Sequence, residues 1–299
     1  MAEPVAHPTA LGAATVRAEP VQAPRTTQSV RAEPVEAPAP TPTPAAEPHP
    51  LARLRPWVIP ALLLIAFELY ARRASALGSD SLAPVSAALK AWWGAAMDGS
   101  LWQATAFTLG TAALGLGVGS LLALAGGIAL GLSARAARMG FMTTELLRTV
   151  PSVALIPLAM LMFGFGVRME MAVVAFATFW PLMLLVQAAV RQVEPRLLEV
   201  SRVLGLSARE RAFKIVLPAI APRLFVALRL GVAVALVVAV TVEIAANPNG
   251  MGYAMMIAQQ SFDPALMLAW LGWIGVVGYA INAGMLRLQQ RVGRRMGAA

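Results

Sequence analysis

Residues equipped for covalent or acid–base chemistry are scarce in this chain, and none is placed to build an active site. There is no cysteine, which excludes thiolate nucleophiles, thiolate metal sites and disulfides. The two histidines, His7 and His49, both fall within the first 50 residues, so no histidine general base or metal site is expected in the rest of the chain. The two lysines, Lys90 and Lys214, follow Leu89 and Phe213. The Gly-Lys-Ser/Thr ending of a phosphate-binding loop is therefore missing, and ATP has no such cradle here. The residue pattern predicts no enzyme, no cofactor and no metal. What remains is a few charges in apolar surroundings: Glu68, Arg229 and Glu243. In hydrocarbon such side chains either reach back to an interface or line a polar path. On one helix Arg229 and Glu243 are ~21 Å apart and do not pair, so each needs another partner or water.

Apolar elements must hold these residues. Of the 299 residues 58% are hydrophobic and only 13% charged, which defines an all-α integral membrane protein rather than a soluble domain. Against the roughly 20 residues a helix needs to cross a bilayer, the runs 57–73, 105–132, 147–166, 171–190, 224–246 and 265–286 predict about six transmembrane helices. The first is short and carries Glu68. Pro84 to Gln103, with Trp92, Trp93 and Trp102, suits a helix lying at headgroup level.

Residues 1–50 hold 11 of the 22 prolines and a near-repeat, Val16–Pro24 and Val30–Pro38. This composition buries too little to offset ordering entropy and predicts a disordered tail without the pattern of a secretory signal. The membrane domain is then 51–295, followed by a short tail at 296–299. The net charge of +9 reflects arginines at the ends of apolar runs, a topology signal rather than a nucleic-acid surface. With 191–222 placed in the cytoplasm, sixteen basic residues lie inside and four outside, which predicts cytoplasmic termini. Arg72 and Arg73 run against this count.

In the second run Gly115, Gly119, Ala123, Gly127 and Gly131 recur every four residues. Such a stripe lets helices approach closely, either within one chain or at a gating or dimer surface.

The stretch from Glu199 to Pro222 interrupts the apolar runs with Arg202, Arg209, Arg211 and Lys214. Gly205 stands where a helix end needs a left-handed residue. Ser207-Ala208-Arg209-Glu210 then forms a capping box. The restarted helix gathers Phe213, Val216 and Leu217 on one side and is expected to stop at Pro218.

This stretch resembles the cytoplasmic EAA loop of binding-protein-dependent ABC importer permeases, in which an E-A-A triplet precedes Gly and, about ten residues on, I-x-L-P. Here the matching residues are Glu199, Gly205, Ile215, Leu217 and Pro218, with Glu199-Val200-Ser201 departing from the triplet. Pro151-Ser152-Val153-Ala154-Leu155-Ile156-Pro157-Leu158, Phe163-Gly164-Phe165-Gly166 and Asn249-Gly250-Met251-Gly252-Tyr253 after Glu243 are similar to the nitrate/sulfonate/taurine-type branch.

The resemblance implies a type I importer permease of the bacterial inner membrane. It implies a homodimer of permeases, a cytoplasmic ATP-binding subunit that does the hydrolysis, and a periplasmic solute-binding protein. Ala208 to Leu217 would be the coupling helix, with Glu199, Gly205, Ser207, Ala208, Arg209, Phe213, Ile215, Leu217 and Pro218 as the ATPase-coupling residues. Arg148, Pro151, Arg229 and Glu243 are the candidate path residues, and the solute a small oxyanion such as a sulfonate, taurine or nitrate. The competing readings are an amphipathic loop lying on anionic lipid and, for the whole chain, an ion-gradient-driven secondary transporter with inverted repeats and mid-membrane relay charges.

Overall fold

A computed structural model describes residues 55–77 and 82–295, all of its regular structure helical. The proline-rich tail and residues 296–299 lie outside the described residues. In chain order the helices are α1 (Arg55–Ala76), α2 (Val85–Met97), α3 (Ser100–Leu132), α4 (Ala134–Arg148), α5 (Ile156–Phe163) and α6 (Val167–Arg191). Then follow α7 (Pro195–Val203), α8 (Ala208–Arg211), α9 (Leu217–Ala245), α10 (Met251–Gln260) and α11 (Pro264–Arg295). Among the described residues four helices are long and apolar enough to cross a membrane: Ser100–Leu132, Val167–Arg191, Ala208–Ala245 and Pro264–Arg291.

The glycine stripe decides how the centre is built. A Cβ on Gly115, Gly127 or Gly131 would lie 2.6 Å from the Cβ of Val174, Val186 or Val190 respectively. Both numbers rise together, so α3 and α6 run parallel with their backbones in close approach. The stripe is thus used for packing within the chain, where small residues replace the missing hydrophobic drive between helices in lipid. α9 lies across both in the opposite sense. Val238, Ala239 and Val242 pack with Ala112, Val173 and Val174, whereas Val216 and Ile220 pack with Val186 and Val190.

Two parallel helices joined in sequence require a return between them. The run 147–166, expected as one span, is not one helix. α4 ends at Arg148, a 3-10 turn spans Ser152–Leu155, and α5 follows, with α4 and the Ser152–Phe163 segment bent by 83°. Pro151 has no amide hydrogen to continue the ladder and sits at an extended ψ of 120°, which is where the helix breaks. Counted as one broken span, the pair makes a fifth apolar segment.

At the first run, α1 carries Glu68, Arg72 and Arg73 within 22 residues and does not join the long apolar set. Glu68 is not simply a snorkelling group: it accepts from Arg72 Nε at 2.6 Å and from the Ser86 hydroxyl at 2.8 Å, tying α1 to the first turn of α2. Trp92 and Trp102 of the headgroup-level stretch pack on α11, each 5.7 Å from Trp273 between ring centroids, while Trp93 is exposed. α3 starts at Ser100, earlier than the apolar run suggested. There Asp98 accepts from the Ser100 amide at 2.8 Å, and the Ser100 hydroxyl and amide hold its carboxyl below the usual carboxylate range.

Candidate functional site

Two features stand out, one at each end of α9. At its N-terminal end is the interrupted loop. α7 closes in a Schellman arrangement: the Gly205 amide donates to the Arg202 carbonyl and the Leu206 amide to the Ser201 carbonyl, both at 3.0 Å. Gly205 has φ 67°, as expected of the residue that turns the chain. The capping box is present in both directions, Glu210 N–H to Ser207 Oγ at 3.3 Å and Ser207 N–H to Glu210 Oε2 at 3.1 Å. Lys214 Nζ adds a 2.9 Å ion pair to Glu210.

Pro218 does not stop this helix. Ala212–Val216 adopts a π-helical turn in which the Leu217 amide bonds back to the Ala212 carbonyl, and α9 continues through Pro218 and Pro222. The wide turn makes room for a proline ring that would strike the carbonyl four residues back in a regular α-helix. Ala208 to Ala245 is therefore one helical body of 38 residues. The same turn splits the expected apolar side. Val216 is buried against Val186, Val190 and Ile220, while Phe213 points outward at 61% exposure. Val200, Val203 and Leu204 are exposed apolar side chains of the same loop, and Glu199 and Arg209 are exposed as well. Ala208 and Pro218 are likewise exposed, and Ile215 and Leu217 are half-buried.

The candidate path residues do not converge on one cluster. Arg148 pairs with Glu145 at 2.6 Å on exposed α4, and Pro151 lies exposed at the bend. Arg229 Nε donates to Asn282 Oδ1 on α11 at 3.1 Å, a partner outside the motifs singled out in the sequence. Glu243 is fully buried and accepts from the Gly252 amide at 2.8 Å.

Around Glu243 is the second feature. Glu170 in the first turn of α6 is fully buried, accepting from the Thr111 hydroxyl of α3 and, at 2.5 Å, from Asn247 Nδ2. The Met251 amide of α10 donates to Thr108 Oγ1 of α3 at 2.9 Å. Glu170, Thr108, Thr111 and Asn247 were not singled out in the sequence. Glu170 sits two residues from Arg168 at the mouth of an apolar run and reads as a loop charge, and Asn247, one turn beyond Glu243, was the available signal. Among the described residues no lysine or arginine bonds to either carboxylate, and no group of three or more metal-ligating side chains occurs.

Four long apolar helices and a broken fifth apolar segment, with a capped loop ahead of one of them, define a multi-pass membrane protein. The chain belongs to the family described as binding-protein-dependent transport system inner membrane component, whose pattern matches residues 115–298. It is 29% identical over 196 residues to the taurine transport system permease protein TauC of Escherichia coli (strain K12), covering 66% of this chain and 71% of that protein. To the putative aliphatic sulfonates transport permease protein SsuC of the same strain it is 29% identical over 231 residues, covering 77% and 86%. The bicarbonate transport system permease protein CmpB of Synechococcus elongatus is 28% identical over 66% of this chain and 71% of its own. The fold matches an inward-facing crystal form of the MetNI methionine ABC transporter with a TM-score of 0.56 at 18% identity, over 62% of this chain and 92% of that one.

The protein is thus a permease subunit of an ABC importer in the nitrate/sulfonate/taurine-type branch, not itself an enzyme. It works with a separate ATP-binding subunit and a solute-binding protein. The ion-gradient-driven alternative falls with this assignment.

Proposed function

We propose that this permease pairs with a second copy of itself to enclose a path for a small oxyanion solute of the sulfonate class, delivered by the binding protein. Both termini lie in the cytoplasm. Ala208 to Leu217 is the coupling helix, seated in a cleft of the ATP-binding subunit. Phe213 supplies an exposed apolar anchor, and Arg209 and Lys214 meet the rim. Glu199, Gly205, Ser207, Ala208, Ile215, Leu217 and Pro218 shape and hold that helix.

The observation that carries this reading is the continuity of Ala208 to Ala245. Movement imposed on the capped turn is delivered along ~57 Å of rigid helix instead of being lost in a flexible loop. An amphipathic loop merely lying on lipid would need no such attachment. The sulfonate class is supported by the similarity to the taurine and sulfonate permeases. Arg148 and Arg229 offer positive charge along the route, while Pro151 and Glu243 mark its bend and its far end.

The test is uptake by proteoliposomes holding the permease, its ATP-binding subunit and the binding protein. Radiolabelled taurine, an alkanesulfonate, nitrate and bicarbonate are each offered. ATP-dependent uptake of a sulfonate in preference to nitrate and bicarbonate is expected, and ATP-dependent uptake of only the latter two rejects the solute class.

A further inference from the structure

Beside the end of α9 remote from the capped turn lie two buried carboxylates, Glu243 on α9 itself and Glu170 in the first turn of α6. Glu170, Glu243, Thr108, Thr111 and Asn247 are all 2% exposed or less, yet they come from three helices and a loop. Their bonds close a circuit. Asn247 and Thr111 hold Glu170, Glu243 holds the Gly252 amide, and Thr108 holds the Met251 amide, so α10 is fastened by its first two amides to α9 and α3. Replacing such a network by well-packed apolar groups is generally neutral or stabilising, so bulk stability does not account for it. What the bonds of buried polar groups add is a rigid, specified geometry, each bond being either made or lost.

Water has a way in. A cavity of about 460 Å³ lies against the network, lined by Phe165, Glu243, Asn247, Tyr253 and Met256 among others. Among the described residues Glu243 Oε1 and Asn247 Oδ1 accept no hydrogen bond of ordinary geometry, leaving spare acceptors to be hydrated when the circuit opens.

We propose that Glu170, Glu243 and Asn247 are positioning residues of a lock that holds α10 closed on α3 and α9. Displacement of α9 from its capped end breaks the lock and frees α10 to swing. The proposal rests on the coupling reading above for what drives the lock, but the lock itself is testable without nucleotide.

The protein has no cysteine, so Ala258→Cys, on the α10 face buried with Leu101 and Leu236, reports whether α10 has moved. Labelling by a methanethiosulfonate reagent is followed in the full complex in proteoliposomes. Without nucleotide, adding Asn247→Leu or Thr111→Val is expected to raise the labelling rate about five- to tenfold, the population shift given by one lost buried hydrogen bond. Thr111→Val keeps the side-chain shape, so it remains informative if Asn247→Leu fails to assemble. Parent-rate labelling with Thr111→Val overturns the lock. A parent rate unmoved by vanadate trapping, beside a faster Thr111→Val variant, counts against the coupling reading and leaves the lock standing.

Discussion

Gly252 donates its amide to Glu243 Oε2 at 2.8 Å, and the two residues are so close that a Cβ on the glycine would stand 2.9 Å from the Glu243 Cβ. The same Cβ would strike the Val240 carbonyl, a backbone atom that cannot rotate away. Gly252→Ala should therefore push α10 off α9 and destabilise the permease by about 1–3 kcal/mol, the usual range for overpacking. Thermal unfolding in detergent would read this as a lower midpoint. Gly272→Ala serves as the control, because nothing lies within 4 Å of its would-be Cβ.

The parallel pair α3 and α6 makes a sharper comparison within one helix. Gly115→Ala and Gly127→Ala each place a methyl 2.6 Å from a valine Cβ. Each should cost about 1–3 kcal/mol. Gly117, two residues from Gly115, faces open space. Gly117→Ala should be neutral or mildly stabilising, since alanine is the better helix former by up to about 1 kcal/mol. Equal midpoints for Gly115→Ala and Gly117→Ala would refute the close approach.

Two left-handed positions predict opposite signs. Gly205, at φ 67°, has nothing within 4 Å of a would-be Cβ, so backbone strain alone governs its replacement. Gly205→Val should impose roughly 1–2 kcal/mol or more of strain on the turn. Expression and membrane insertion should survive, while uptake falls severely and the ATP-binding subunit is lost or no longer stimulated by the loaded binding protein. Phe262, at φ 54°, caps α10 the way Gly205 caps α7 and is 91% exposed. Phe262→Gly relieves strain without removing core packing, so the unfolding midpoint should rise or hold. A fall would show that the phenyl ring makes a contact in the assembled complex.

Orientation is read by impermeant thiol reagents on intact cells, using single cysteines at Ser207 and Asn249. The second should label and the first should not. The reverse pattern would overturn the cytoplasmic placement of the capped loop and the coupling reading with it.

Much was legible along the chain because it is a matter of local chemistry. The apolar runs follow from a one-dimensional requirement, that every backbone polar group in lipid be satisfied within its own segment. The left-handed Gly205 and the Ser207–Glu210 box depend on groups only a few bonds apart, and both stand as expected. The small-residue stripe announced a close helix contact but not its partner, which only the register of Gly115 on Val174 supplies.

What lay beyond the sequence was decided by partners remote in the chain. Pro218 reads as a stop unless a π-turn widens the helix before it, and that turn is held by Val216 packing on α6. Glu170 reads as a loop charge until Thr111, 59 residues earlier, and Asn247, 77 residues later, arrive to bond it. Those two bonds offset much of the cost of burying Glu170. Composition and spacing therefore determined that this is a multi-span membrane protein with a capped loop, and the motif resemblance pointed to the permease family. Tertiary packing alone determined that the loop and the buried carboxylates lie at opposite ends of one continuous helical body, because hydrogen bonds between distant segments exist only once the helices are assembled.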